Sequence, residues 1–197
     1  MIPPARTPPG SARHAGWDLL AGKVRRCIAC PELVAERSQV VVGTVPDHAR
    51  LLVMGEAPGA QEDATGLPFV GRSGQLLDRL LADAGLPRHQ VAVLNTVKCR
   101  PPANRLPTRQ ESANCRGWTE SQLAVADPAL IVTLGLSAAT WFLGRSTLSA
   151  VRGRVHEVDG WSVLPTYHPA AALRGGPKGE PMRLLAQDLR TAVGLVG

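Results

Sequence analysis

Short apolar runs alternate with helix-like segments along this chain, and this alternation constrains the fold more than any other feature. Four runs have the length of buried strands: residues 49–55, 91–95, 129–135 and 161–166. Helical patterns occupy the intervals between them, such as an apolar stripe for which Ser73 is the expected N-cap and Gly85 the C-terminal stop. A capping pattern, Thr108-x-x-Glu111, predicts a further helix that reaches about Ala126. This alternation predicts an α/β fold with a mostly parallel central sheet.

One domain is enough for a chain of this size. A domain of 197 residues buries about 70% of the surface that its unfolded chain exposes. The first 14 residues carry four prolines among small polar residues, which is typical of a disordered tail. We therefore expect a disordered N-terminal tail over residues 1–14 and a single domain over residues 15–197, with its last helix over residues 180–193.

The sequence contains no pattern typical of a membrane span or an export signal. Asp127 and Pro128 interrupt the most apolar region, well short of the roughly 20 residues that a membrane helix needs. The N-terminus lacks the apolar segment of a secretory signal. We expect a soluble, cytoplasmic monomer with no membrane partner.

The basic residues are mostly arginine and are concentrated in two stretches. The net charge is +6, and lysine supplies only three of the 22 Lys and Arg residues. Residues 98–116 hold five basic side chains against the single acid Glu111, and residues 145–154 hold three with no acid. Arginine suits bidentate phosphate contacts, so the pattern favours a nucleic-acid partner, although a codon bias toward arginine gives the same composition. For Lys98 we expect a phosphate contact or a surface position.

Three polar segments rich in Gly, Pro or short polar residues follow predicted strands, at residues 55–59, 95–98 and 167–169. Ligands of open α/β sheets bind beyond the carboxyl ends of the strands. Because parallel strands end at the same edge, these segments are expected to converge on one site.

Four cysteines form the pattern Cys27-x-x-Cys30 with Cys99 and Cys115 further along. They are too few for a disulfide scaffold, and a cytoplasmic location disfavours disulfides. A four-thiolate site is the better interpretation, and by ligand count it suits zinc or an iron–sulfur cluster equally well. We expect it to be structural and to join the N-terminal helix to the loop after residues 91–95.

The segments GEAPGAQEDATGLPFVGRSGQLL, NTVKCRPP and YHPAA, together with the cysteines, resemble the iron–sulfur family 4 uracil-DNA glycosylases from about Cys27 to the C-terminus. The resemblance implies a three-layer α/β/α fold and a [4Fe–4S] cluster on Cys27, Cys30, Cys99 and Cys115. It also implies base-excision repair of single- or double-stranded DNA, in which uracil is hydrolysed from the sugar and an abasic site remains.

The resemblance assigns roles to residues of these segments. Phe69 would stack on a uracil flipped out of the DNA. Asn95 would pair with the uracil edge, since an amide accepts from N3–H and donates to O4, the reverse of what cytosine presents. His168 would donate to uracil O2, where negative charge develops as the base departs. The implied lining of the pocket also includes Gly55, Ala57, Gly59 and Ala60.

The resemblance implies two candidate acids for the catalytic step, Glu56 and Glu62, and we rank Glu56 first. A carboxylate at either position would orient the attacking water or stabilise a sugar cation. The alternative for Glu56 is a loop-fixing hydrogen bond to backbone N–H groups, and for Glu62 and Asp63 a solvated loop face. Ala60 stands where the family often has an acid, so leaving-group stabilisation is expected to carry more of the catalysis.

Contacts to DNA are expected from basic and helix-start residues: Arg72, Ser73, Arg152, Arg154 and Arg174. Each would otherwise be a solvated charge or the start of a helix. The stretch CRPPANRLPT has neither the His nor the basic insertion of a related branch that traps DNA covalently. A monofunctional enzyme that turns over is therefore expected.

Two other functions remain open from the sequence. One is an inactive, metal-stapled nucleic-acid-binding module, although retention of Phe69, Asn95 and His168 together argues against loss of activity. The other is a sister glycosylase with a broader preference that includes hypoxanthine or xanthine. The GEAPG segment and Asn95 favour uracil.

Overall fold

The computed structural model describes residues 10–144 and 146–197, and the side chains from residue 15 onward within those ranges. Its strands are β1 (Leu51–Gly55), β2 (Ala92–Asn95), β3 (Leu130–Leu134), β4 (His156–Val158) and β5 (Trp161–Thr166). They form one sheet in the order β2-β1-β3-β5-β4. Every pair is parallel except β4 with β5. The predicted mostly parallel sheet is confirmed.

Helices cover both faces of this sheet. Those in the described residues are α1 (Gly10–Arg25), α2 (Pro31–Glu36), α3 (Ala60–Thr65), α4 (Arg72–Asp83), α5 (Arg109–Ala126), α6 (Leu136–Leu143), α7 (Leu148–Val151), α8 (Pro169–Gly175) and α9 (Glu180–Val196), with short 3-10 turns at Arg88–Gln90 and Pro102–Asn104. The predicted capping box opens α5, where Thr108 accepts a hydrogen bond from the Glu111 N–H at 3.1 Å. No helix in these ranges combines the length and the apolar character of a membrane span.

The sheet divides the core into two apolar layers because strand side chains alternate between its faces. Leu52 and Met54 of β1 pack with α1 and α5, whereas Leu51 and Val53 pack with α4, α8 and α9. All four side chains are fully buried. The fold is therefore the expected three-layer α/β/α arrangement.

The N-terminal helix begins earlier than the sequence pattern indicated. Helix α1 starts at Gly10, so residues 10–14 are helical rather than part of an irregular tail. The last early proline is Pro9, and beyond it nothing in the backbone prevents a helix. The rest of the predicted tail, residues 1–9, lies outside the described residues.

Two other local predictions were wrong. Gly71, not Ser73, is the N-cap of α4, and no side chain caps that end. Strand β4 was missed, although Asp159 and Gly160 between β4 and β5 have φ of +49° and +82°. Positive φ at both central residues is the mark of the two-residue hairpin turn that Asp-Gly favours, so this dipeptide was the available signal.

Backbone hydrogen bonds continue past the strand ends and align the loops that follow. The Thr96 N–H donates to the Gly55 carbonyl at 3.0 Å, and the Gly135 N–H donates to the Thr166 carbonyl at 2.8 Å. The connections after β1, β2, β3 and β5 therefore start side by side at one edge of the sheet.

Candidate functional site

At this edge an amide and an aromatic ring converge on a glycine. A Cβ atom added to Gly55 would lie 2.5 Å from both Asn95 Oδ1 and Phe69 Cζ. Such distances exclude any side chain, so the end of β1 has to be glycine for Asn95 and Phe69 to take these positions.

Asn95 presents a polar atom without a partner. The residue is 3% exposed, and its Oδ1 is buried with no hydrogen-bond donor among the described residues. Leaving such an atom unpaired costs about 1–3 kcal/mol. A ligand N–H that reached this oxygen would remove that cost.

Phe69 is held in an uncommon backbone conformation. Its φ is +53°, in the left-handed region, and its side chain is 7% exposed. Arg88 fixes the loop by donating from Nη2 to the Pro68 carbonyl at 2.7 Å, and its Nη1 pairs with Asp78 at 2.8 Å. A Cβ at Gly74 would lie 1.7 Å from the Phe69 carbonyl oxygen, so α4 also needs a glycine here.

His168 has a defined tautomer. It is the N-cap of α8, and its Nδ1 accepts a hydrogen bond from the Ala170 N–H at 3.0 Å. The proton of the neutral ring must then be on Nε2, which is left as a donor. Burial, followed by the charge of nearby Arg174, lowers the pKa of His168 to about 4, and Glu62 acts in the opposite direction. The ring is therefore neutral near pH 7.

The His168 ring also faces Phe69, with ring centroids 6.0 Å apart. Gly55, Phe69, Asn95 and His168 thus lie together, and we call them the edge cluster. A flat ring, an unpaired acceptor and a neutral N–H donor suit a planar heterocycle that has N–H and C=O groups on its edges.

The two candidate acids have opposite environments. The Glu62 carboxylate accepts from three backbone N–H groups, those of Val70 and Gly71 at 2.9 Å each and that of Gly59 at 3.1 Å. The Glu56 side chain is half-buried and forms no hydrogen bond or ion pair with any described residue. The loop-fixing role considered for Glu56 therefore belongs to Glu62, which is not a solvated acid.

The remaining residues of the first motif lie along the connection from β1 to α3. Ala57 packs on the core, Gly59 is the N-cap of α3, and Ala60 is its exposed first residue. Asp63 is buried and accepts from the Ser38 N–H at 2.9 Å, so it anchors the segment after α2 instead of facing solvent.

The four cysteines lie in one region, which we call the cysteine site. Cys27 and Cys30 precede α2, Cys99 follows β2, and Cys115 lies in α5. All four are free thiols. Burial raises the pKa of both Cys99 and Cys115, and the neighbouring Cys27 adds to the rise in each, so these groups are within electrostatic reach of one another.

Donors from the surrounding chain point at these sulfurs. Arg37 Nη1 donates to Cys99 Sγ at 3.0 Å, and Asn114 Nδ2 donates to Cys30 Sγ at 3.5 Å. Burial raises the pKa of Cys115 to about 11, so an electropositive group has to be bound there for the thiolate to form near pH 7. In the described part of the chain, no three His, Cys, Asp or Glu side chains are arranged to hold a single metal ion.

Lys98 is not at the surface, contrary to expectation. It is 1% exposed, and its Nζ donates to the Asn95 carbonyl. Burial lowers its pKa to about 8, while Cys115 and Cys99 act in the opposite direction. Lys98 forms no ion pair with a carboxylate of the described residues and instead lies between Asn95 and the thiols. Its position after a strand gave no signal of this burial.

The predicted DNA-contact residues divide into free and engaged side chains. Arg72 and Arg174 are exposed and form no hydrogen bond or ion pair with any described residue, and Ser73 is half-buried in the first turn of α4. Arg154 is exposed as well, but its Nη2 donates to the Ala150 carbonyl at 2.6 Å. Arg152 instead pairs with Asp188 of α9 at 2.7 Å, and Asp188 also accepts from Thr166 at 2.6 Å. Asp188 is buried in α9 and anchors the end of β5 through Thr166. This role was not predicted, because the partners of Asp188 are distant in sequence.

Comparison with known proteins agrees with this geometry. Residues 42–190 match the model of the uracil DNA glycosylase superfamily. A type-4 uracil-DNA glycosylase of Thermotoga maritima is 39% identical over 91% of this chain and 94% of that protein. The type-4 enzyme of Archaeoglobus fulgidus is 39% identical over 79% of this chain and 82% of its own length. That of Saccharolobus solfataricus is 38% identical over 88% and 83%. The chain therefore belongs to the type-4 branch of the uracil-DNA glycosylase superfamily.

Proposed function

We propose that this chain is a monofunctional glycosylase that hydrolyses the bond between uracil N1 and the C1′ of deoxyribose in DNA. The bond breaks with its electron pair going to uracil N1, and the oxygen of water adds to C1′. The proton released by that water ends on the departed uracil, and an abasic site remains. The observation that carries the proposal is the buried, unpaired Oδ1 of Asn95 beside the Phe69 ring.

Base recognition follows from the edge cluster. Phe69 offers its ring to a flipped-out base. Uracil N3–H would donate to Asn95 Oδ1, whereas cytosine presents an unprotonated N3 at the same position and would leave the oxygen unpaired. An unpaired buried acceptor costs about 1–3 kcal/mol, which disfavours cytosine.

Leaving-group stabilisation is assigned to His168. Its Nε2–H would donate to uracil O2, and the bond would strengthen as negative charge develops on the departing base. A neutral donor keeps its proton throughout, and the Ala170 N–H holds the ring in the required tautomer.

The acids take different tasks in this mechanism. Glu56 has a carboxylate without a partner among the described residues, and its backbone carbonyl accepts from the Val97 N–H, two residues beyond Asn95, at 2.9 Å. It is therefore suited to orient water or to stabilise the sugar cation. Glu62 is a positioning residue that holds the loop carrying Phe69 through the N–H groups of Val70 and Gly71.

The cysteine site would hold a [4Fe–4S] cluster through Cys27, Cys30, Cys99 and Cys115. Arg37, which donates to Cys99 Sγ, and Lys98, which lies beside Cys99 and Cys115, are cationic groups that fit a bound group of negative charge. When bound, the cluster would join the N-terminal helices to the segment after β2.

The proposal also covers the DNA substrate, the residues that contact it and the state in which the protein works. The substrate is uracil-containing DNA, with phosphate contacts from Arg72, Ser73, Arg154 and Arg174. The Arg152 pairing with Asp188 makes it a support for that surface rather than a free contact. Residues 15–197 act as one domain, and the protein works as a cytoplasmic monomer. The names of the reported relatives give no support to an inactive binding module or to a broader base preference.

The test of activity is a DNA strand with one uracil, incubated with purified protein and run on denaturing gels with and without alkali. We expect cleavage only after alkali, which means base release without lyase action. A strand that stays intact under both conditions would contradict the activity, and a protein-linked band would indicate covalent trapping.

The cofactor has its own test. Purified protein is expected to contain iron and to absorb in the blue part of the visible spectrum, whereas Cys115→Ser is expected to lose most of both. Colourless protein that contains zinc would overturn this assignment.

A further inference from the structure

A second cavity lies beside the edge cluster, at the same edge of the sheet. Its volume is about 360 Å³, within the range of roughly 300–1,000 Å³ found for small-molecule sites. We call its polar and aromatic lining the basic groove, which comprises Thr96, Arg109, Ser112, Arg116, Ser137 and Trp141.

The groove adjoins the edge cluster on two sides. Thr96 directly follows Asn95, and α6, which carries Ser137, begins after Gly135. A Cβ at Gly135 would lie 3.2 Å from His168 Cβ, so the start of α6 packs against His168. A DNA strand whose flipped base reached Asn95 and His168 would pass over the groove.

The groove also explains part of the basic stretch over residues 98–116. Lys98 is buried, and Arg105 pairs with Glu111 at 2.7 Å and with Glu32 at 3.2 Å. Arg109, in contrast, is exposed and forms no hydrogen bond or ion pair with any described residue. Arg109 and Arg116 line the cavity, and no acid does. This charge favours an anion such as phosphate.

One wall of the groove is a preformed stacking platform. The Arg116 guanidinium lies 4.2 Å from the centroid of the Trp141 ring, and its Nη1 donates to the Trp141 carbonyl at 3.4 Å. Glu120 fixes its Nε at 2.8 Å, and the side chain is still 48% exposed. One face of the guanidinium is covered by indole and the other faces solvent, which is the arrangement that stacks a nucleic-acid base.

We propose that the basic groove binds the nucleotide next to the uridine in the same DNA strand. Its phosphate would contact Arg109 and the Ser112 hydroxyl, which has no partner among the described residues, and its base would stack on Arg116. This inference rests on the proposed function, because it requires a strand with its uracil in the edge cluster.

The test compares Arg109→Ala and Arg116→Ala with Arg190→Ala, which removes an exposed arginine from α9 outside the groove. Uracil release from a single-stranded oligonucleotide is measured over a range of substrate and salt concentrations. We expect Arg116→Ala to raise KM about tenfold through lost stacking, with kcat within about twofold. Arg109→Ala should lower the slope of log KM against log salt by about 0.7, the value for one phosphate contact on a single strand. Arg190→Ala should match the parent in KM.

Truncated substrates identify the occupant of the groove. Oligonucleotides with the uridine at the 5′ or the 3′ end each lack one neighbour. On one of the two, the parent and Arg116→Ala should have equal KM, because the nucleotide that the groove binds is missing. The inference is overturned if both groove variants have the KM and salt dependence of the parent on the full-length strand. It is also overturned if a free nucleoside monophosphate binds in the groove while neither truncation removes the difference in KM between the parent and Arg116→Ala. Failure of the parent itself to release uracil would instead overturn the proposed function, and this inference with it.

Discussion

The edge cluster and the cysteine site share one stretch of chain, residues 95–99, but they differ in charge. The edge cluster consists of neutral groups, whereas cations adjoin the cysteine site. In the edge cluster the groups are neutral: an amide with an unpaired oxygen at Asn95, and an imidazole at His168 whose pKa is held at about 4. In the cysteine site the cations Arg37 and Lys98 point at or lie beside thiols, without carboxylate partners among the described residues.

This difference indicates what each region accepts. A neutral, unpaired and rigid group suits a neutral guest that arrives and leaves, since no charge has to be stripped of water at each turnover. The buried Lys98 and the half-buried Arg37 beside thiols suit a resident group of negative charge, because an uncompensated buried charge is costly. Lys98 belongs to both regions, since it bonds to Asn95 and lies next to Cys99 and Cys115.

The largest effect is expected from His168→Ala. Loss of one preoriented donor to a developing oxyanion lowers kcat by about 10²–10³-fold. The fold should persist with a loss of about 1 kcal/mol in stability, because the ring also caps α8 by accepting from the Ala170 N–H. Single-turnover uracil release and the circular dichroism melting curve measure the two separately. Near-parental kcat would remove His168 from the mechanism.

The pH dependence of stability tests whether the edge cluster excludes charge. Between pH 6.5 and pH 4 the unfolded chain protonates His168 while the folded chain does not, so stability should fall as the pH falls through this window. The pKa difference corresponds to about 3 kcal/mol. Urea unfolding of the parent and of His168→Gln at several pH values measures it. The variant should lose this part of the pH dependence. Identical curves of unfolding free energy against pH for the two proteins would contradict a buried neutral imidazole.

Substitutions of Glu56 and Glu62 separate a group that acts in the reaction from a group that positions a loop. Glu62→Gln replaces an oxygen that accepts from the Gly59 N–H with an NH₂ group, and we expect a loss of about 2 kcal/mol in unfolding free energy. Glu56→Gln should leave the melting temperature unchanged and lower kcat by about 10²-fold. Thermal unfolding and kcat are measured for both variants, and exchanged outcomes would reverse the assignment.

The smallest effect concerns the link between the two regions. Lys98→Met keeps the length of the side chain and removes its hydrogen bond to the Asn95 carbonyl. Loss of this hydrogen bond costs about 1.5 kcal/mol. We therefore expect about tenfold higher KM and about tenfold weaker inhibition by free uracil. Lys178→Met, at an exposed lysine, is the control. The visible spectrum reports whether the cysteine site also changes, and unaltered uracil inhibition would exclude a positioning role for Lys98.

The fold and the approximate place of the site could be predicted because they depend on local patterns. Apolar runs fix the strands, and parallel strands must present Asn95 and His168 at one edge. The Asp159-Gly160 hairpin was readable in the same way and was overlooked.

The partners of individual charges could not be predicted, since they depend on contacts between distant parts of the chain. Arg152 meets Asp188, 36 residues away, and Lys98 is buried between Asn95 of β2 and Cys115 of α5. Which glutamate fixes the loop depends on the start of α3 at Ala60, which the sequence did not mark. The positive φ of Phe69 accompanies a close approach between its carbonyl and Gly74, and no residue of that segment marks this conformation in the sequence.

The most direct test of the account is nitrogen NMR of the His168 imidazole, assigned by its absence in His168→Gln. We predict a neutral ring at pH 7 with the proton on Nε2, and a shift of the Nε2 resonance when free uracil is added. A protonated ring, a proton on Nδ1, or an Nε2 resonance that ignores uracil would contradict the claim that the edge cluster is built as a neutral donor and acceptor pair for uracil.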